Sequence, residues 1–303
     1  MKSAFVIGGA GFLGAGIARA FREAGCAVTS LDAVGSGNPH ESGGIRTIVM
    51  SLPDASFGSL LSDIAPDVVI HCAGNASVPD SVDNPHDDFV SHVVLTEWLI
   101  HQCRKSAPRT RLMYLSSAAV YGQPEELPVH ESAVIRPVSP YGHHKRMAEM
   151  LCEEASQLFG LQTVIARVFS AYGAGLRRQV VWESARQAVE DGRIQLHGTG
   201  EETRDFIHAQ DVSRAILILA QSASPDGAIF NVASGIETSV KFLAEAIAQE
   251  CGECQVTFRG QRRACDPERW RADIGKLHSL GFSPSISLKD GIRDVLSGQS
   301  THA

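Results

Sequence analysis

FVIGGAGFLG, residues 5–14, runs from an apolar segment straight into four glycines. Two spacings overlap in it, Gly8-x-x-Gly11-x-x-Gly14 and Gly9-x-Gly11-x-x-Gly14. A glycine triplet alone carries little information. This one follows a run that reads as a strand, Ser3–Gly8, and opens a stretch of helical periodicity, Phe12–Ala24. In a strand–turn–helix of this kind the backbone can approach a pyrophosphate closely, and the helix N-terminus offers unpaired N–H groups and a positive dipole end. Gly8, Gly11, Phe12, Leu13 and Gly14 are therefore expected against a dinucleotide. A second apolar run, Ala27–Leu31, ends in Asp32, 18 residues after Gly14. A carboxylate there hydrogen-bonds ribose hydroxyls and repels a 2′-phosphate, which favours NAD over NADP.

Further short apolar runs follow at Ile45–Met50, Asp67–His71 and Arg111–Ser116, and helical patterns lie between them, the longest over Asp87–Lys105. Such alternation predicts parallel βαβ units with strands buried on both faces. The pattern becomes irregular from about Tyr172, with a helix near Gln179–Asp191, a strand near Ile194–Leu196, then RDFIH and a helix at Asp211–Gln221. The expected fold is α/β: a Rossmann-type doubly wound parallel sheet over residues 1–170, rejoined by about 205–235, and a smaller C-terminal α/β substrate-binding region within 171–303. No low-complexity linker separates the two, so they are expected to pack together.

The chain has 303 residues, 44% of them apolar and 20% charged, with a formal charge of −7. No basic block reads as a nucleic-acid footprint, and no apolar run reaches membrane-spanning length, so a small-molecule ligand is expected, with neither nucleic acid nor membrane as partner. Seven cysteines without regular spacing read as reduced thiols in a cytoplasmic protein. Cys251-x-x-Cys254 is the closest pair and, lacking a second pair, reads as part of a helix-to-strand connection; no metal is expected.

SPYGHHK, residues 139–145, carries the chemistry. Ser139 suits an N-cap and Pro140 the first helical position. Tyr141 and Lys145, four apart, then share one helix face, with Tyr141 in the first turn, where the dipole favours an anion. A free tyrosine is a poor base near neutrality. A nearby ammonium, a helix N-terminus and a nicotinamide cation would together stabilise the phenolate, and a shift of ~3 units requires about 4 kcal/mol. LSSAAVYG, 115–122, places Ser116 and Ser117 at the carboxyl end of a strand, the edge where open α/β sheets bind ligands, and a hydroxyl there can donate to and accept from a substrate oxygen.

GGAGFLG, HCAGNASVPDSV, LSSAAVYG, SPYGHHK, RVFSAYG, RDFIHAQDV, FNVASG and the RRACDP…ADI segment occur in this order over nearly the whole chain. In them the sequence resembles the extended short-chain dehydrogenase/reductase family, in its NAD-dependent nucleotide-sugar epimerase/dehydratase branch. The resemblance implies a catalytic trio of Ser117, Tyr141 and Lys145, with Ala73, Gly74 and Phe169 lining the cofactor. It implies Asn75 and Ser170 at the substrate, and Arg204 and Arg263 on the nucleotide diphosphate, a role that also suits a guanidinium fork. It further implies that Trp270 walls the sugar pocket, and that the helices near 87–105 and 140–160 form a homodimer interface. Dehydratases that the sequence resembles carry an acidic pair after the strand-end hydroxyl, and decarboxylases a glutamate; this chain has Ala118 and Ala119. A UDP-hexose 4-epimerase is therefore expected, with a 4-keto-6-deoxy nucleotide-sugar reductase and a non-catalytic NAD sensor as alternatives. The chain departs from the family pattern at Ser170 and His92, both in places where asparagine is usual, and at Leu95, where glycine is.

Overall fold

The computed structural model describes residues 1–33, 44–252, 254–261 and 266–300. The first half alternates strand and helix: β1 (Ser3–Ile7), α1 (Phe12–Glu23), β2 (Ala27–Asp32), β3 (Arg46–Val49), α2 (Phe57–Ile64) and β4 (Val68–His71). Then come α3 (Val78–Asp83), α4 (Pro85–Phe89), α5 (Leu95–Ser106), β5 (Arg111–Ser117), α6 (Pro140–Phe159) and β6 (Gln162–Val168). The second half adds β7 (Ser170–Tyr172), α7 (Gln179–Asp191), β8 (Arg193–Leu196), β9 (Thr203–His208), α8 (Ala209–Ser222) and β10 (Asp226–Val232). It ends with β11 (Glu237–Ser239), α9 (Val240–Glu250), β12 (Gln255–Phe258), α10 (Gly275–His278) and α11 (Leu288–Ser300).

Seven strands form one sheet in the order β10-β6-β5-β4-β1-β2-β3, and every neighbouring pair is parallel. The strand order reverses between β1 and β4, so their carboxyl ends open a crevice at the switch point. Side chains alternate across each strand. Val6, Met113 and Phe230 pack on one face with Ile17 and Phe21 of α1 and Ile216 and Leu219 of α8. Phe5, Val69 and Ile165 pack on the other face with Phe57 of α2, Leu99 and Cys103 of α5, and Ala148 and Cys152 of α6. Both faces are covered, which explains why the strands read as continuous apolar runs. β7, β9 and β11 form a small sheet, β8 and β12 a parallel pair, and these enclose a separate core with α7, α9 and α11.

The helix expected over Asp87–Lys105 is interrupted. Between α4 and α5, Val90–Val94 form a single π turn, which brings His92 into the interior. A π turn of this kind is a frequent mark of a functional position. Cys251 and Cys254 are free thiols flanking the connection from α9 to β12, and Cys254 also packs in the small core. Among the described residues no helix is long and apolar enough to cross a membrane.

One charged pair is wholly interior. Arg167 on β6 donates to both carboxylate oxygens of Glu149 on α6, at 2.9 and 2.8 Å, with 1% and 0% side-chain exposure. Ser116 of β5 also donates to Glu149, at 2.6 Å, and Arg167 reaches the Tyr121 hydroxyl and the Glu131 carbonyl. Removing one partner strands a charge away from water. Glu149→Ala should lose about 3–5 kcal/mol in urea denaturation, while the double exchange Glu149→Met/Arg167→Met should lose much less.

Candidate active site

At the crevice, the turn after β1 folds back under the start of α1. A Cβ on Gly14 would stand 2.1 Å from the Gly8 carbonyl oxygen, and one on Gly8, at φ +82°, would stand 2.6 Å from the Ala73 nitrogen. Glycine is thus required at both positions by a close approach. Asp32 at the end of β2 accepts the Ala10 N–H at 2.8 Å, which fixes its carboxylate beside the same turn. Gly8, Gly11, Phe12, Leu13 and Gly14 border a cleft of about 920 Å³ that continues past Tyr141 and Lys145 to Arg204 and Trp270. A backbone cradle at a helix N-terminus, a carboxylate at the second strand end and a long cleft together fit NAD.

The helix start expected at SPYGHHK is present. Ser139 caps α6 by accepting the Gly142 N–H, Pro140 follows, and Tyr141 stands in the first turn, its own N–H bonded to Ser81. Tyr141 and Lys145 are both buried, and Ser117 at the end of β5 hydrogen-bonds the Tyr141 phenol. Ser116, one residue earlier, turns instead to Glu149. The Lys145 ammonium donates to the Leu115 carbonyl at 2.9 Å and lies 5.7 Å from the centre of the Tyr141 ring.

Within the chain alone, burial dominates the electrostatics. Burial pushes the Tyr141 phenol up to about 12; the Ser117 hydrogen bond and the Arg178 charge pull it down, and Asp88 pushes it up. Burial brings Lys145 down to about 8. The phenolate is therefore not favoured by Lys145 within the chain alone, because the ammonium is turned toward a backbone carbonyl and desolvation outweighs the rest.

Other expected residues divide into those that face the cleft and those that do not. Gly74, Phe169, Ser170, Arg204 and Trp270 line it. Trp270 donates its indole N–H to the Gly122 carbonyl at 3.0 Å and meets Phe169 edge-on, while the Arg204 guanidinium lies over its ring. Ala73 is not among the lining residues; it packs under the glycine turn. Asn75 does not line the cleft either: its amide donates to Asp80 at 3.0 Å and its amide oxygen takes a long bond from Arg178 at 3.4 Å. Arg263 lies outside the described residues. Arg178, at the N-cap of α7, was not singled out by sequence, yet it lines the cleft and acts on Tyr141. A basic residue just before a helix opposes the dipole, and that mismatch was the available signal.

A family model described as "NAD dependent epimerase/dehydratase family" matches residues 4–233. A GDP-6-deoxy-D-mannose reductase of Pseudomonas aeruginosa is 32% identical, covering 81% of this chain and 83% of its own. A UDP-glucose 4-epimerase of Mycolicibacterium smegmatis is 30% identical, covering 95% of each. The crystal structure of Thermus thermophilus UDP-glucose 4-epimerase in complex with NAD superposes with a TM-score of 0.90 at 26% identity over 100% of both chains.

Tyr141→Phe should leave NAD affinity unchanged in a fluorescence titration and lower turnover by about 10²–10⁴-fold, the usual worth of a positioned general acid–base. Asp32→Ala should narrow the preference for NAD over NADP by about tenfold, measured as the ratio of dissociation constants.

Proposed function

The chain belongs to the NAD dependent epimerase/dehydratase family, and from that premise we propose that it interconverts the C4 epimers of a UDP-hexose of the UDP-glucose/UDP-galactose type. The observation that carries this reading is the strand end at Ser117: Ser117 bonds Tyr141, and the next two residues are the buried alanines Ala118 and Ala119. Without a carboxylate in those two positions, the chain has no acid there to drive loss of water or to assist decarboxylation.

The steps follow from the side chains. The sugar 4-hydroxyl lies between Ser117 and Tyr141. Tyr141 takes its proton, Ser117 holds the oxygen as the carbonyl forms, and Lys145 contributes positive charge from behind. NAD, held by the glycine turn and Asp32, supplies reversible hydride transfer at C4. Tyr141 returns its proton to the oxygen after the 4-keto sugar has turned over in the cleft. Arg204, half-buried, and Arg263 would carry the diphosphate. Trp270, pinned by Gly122 and Phe169, leaves room for a plain hexose more readily than for an N-acetyl group. Exposed Val90 and Val94 on the π turn, with Met147 and Met150 on α6, support assembly as a homodimer through these helices.

The second reading, reduction of a 4-keto-6-deoxy nucleotide sugar, is favoured by the Pseudomonas relative. Incubating the purified protein with UDP-galactose separates the two. Formation of UDP-glucose without added cofactor and without net absorbance change at roughly 340 nm is expected; stoichiometric consumption of NADH by a 4-keto substrate, with no epimerisation, would reverse the assignment.

A further inference from the structure

The far wall of the cleft is made by Asp266, Pro267 and Trp270, which belong to no helix or strand. Backbone of this kind has to find its hydrogen bonds on neighbouring segments. On one side Thr203, the first residue of β9, accepts the Trp270 N–H at 3.2 Å and donates its own N–H to the Glu268 carbonyl at 3.0 Å. On the other side two consecutive residues supply three bonds. The Gly122 carbonyl accepts the Trp270 indole N–H at 3.0 Å. The Gln123 side chain donates from Nε2 to the Asp266 carbonyl at 3.0 Å and accepts the Glu268 N–H at Oε1, at 2.8 Å. A residue of a parallel strand bonds its partner in the same way, to the carbonyl before it and the N–H after it. The glutamine amide therefore stands in for a strand centred on Pro267, which has no N–H to place.

Gln123 is presented from a rigid corner. A Cβ on Gly122, at φ +60°, would collide with the Arg136 carbonyl oxygen, so the chain turns there only with glycine. The corner directly follows the 3₁₀ turn Ala118–Tyr121, which begins beside Ser117. Beyond Trp270 the wall segment is fastened separately, with Val129 donating to the Arg271 carbonyl at 2.7 Å and accepting the Asp273 N–H at 2.9 Å. Gln123 is thus the side chain that grips the outer part of the wall, Asp266 to Glu268, while not lining the cleft itself.

We propose that Gln123 is a positioning residue for the substrate: by holding Asp266–Glu268 it sets how closely the far wall meets the bound nucleotide sugar. This rests on the reading of the cleft as a nucleotide-sugar site. Gln123 is exposed, so water can replace its bonds and variants should fold. In NAD-loaded enzyme, Gln123→Ala should raise KM for UDP-galactose about tenfold, the equivalent of one or two hydrogen bonds lost from the wall. Its kcat should stay within about twofold and NAD affinity should be unchanged, a split that general loss of structure would not give. Gln123→Met keeps the length and bulk but neither polar atom, and should match Gln123→Ala. Backbone hydrogen exchange over 266–270, read by mass spectrometry without substrate, should quicken about tenfold in both variants while β1 and β4–β6 keep their wild-type rates. A KM within about twofold of wild type in either variant, a loss carried equally by kcat, or unchanged exchange would overturn the proposal. Quickened exchange in a protein whose wild type epimerises no UDP-hexose would instead overturn the functional reading and leave Gln123 as the holder of the wall.

Discussion

Glu149 and Arg167 neutralise each other where water does not reach, and the spacing of the reacting groups depends on that bond. Glu149 is on α6, the helix that holds Tyr141 in its first turn and also carries Lys145. Through Ser116 it grips the strand that ends in Ser117. Arg167 belongs to the next strand and extends the link to Tyr121, whose hydroxyl donates to Asn231 on the returning strand β10. Three strands and one helix are thereby locked in register around a polar knot. Such a knot adds little net stability over an apolar filling, but it tolerates only one arrangement of its members.

Around this frame the site is dominated by desolvation. Burial raises the phenol of Tyr141 and lowers the ammonium of Lys145. Each neutral form is favoured for the same reason, the loss of water around a charge. Charges placed nearby then act strongly because little solvent screens them. Arg178 enters from the start of α7 and Asp88 from α4, with opposite effects on the phenol.

The readable parts of this architecture were local ones. The glycine turn, the Ser139–Pro140 helix start and the terminal carboxylate of β2 each depend on a few neighbouring residues, and each is present. Contacts between distant segments were not readable. His144 and Asp88 are 56 positions apart, and nothing in either neighbourhood announces their bond. For a related reason, spacing shows that Lys145 shares the helix face of Tyr141, but not that the ammonium turns to Leu115 or that burial pushes the phenol up to about 12. The motif around Asn75 likewise does not reveal that its side chain bonds Asp80 and Arg178.

The widened turn at Val90–Val94 also sets the phase of everything after it. A regular α-helix advances each residue by about 100°. Deleting one residue to straighten this turn would swing Leu99, Ile100 and Cys103 off the sheet and bring charged neighbours such as Arg104 toward it. The irregularity that lodges an imidazole beside the tyrosine is thus built into how the following helix meets the core, and the chain cannot shed one while keeping the other.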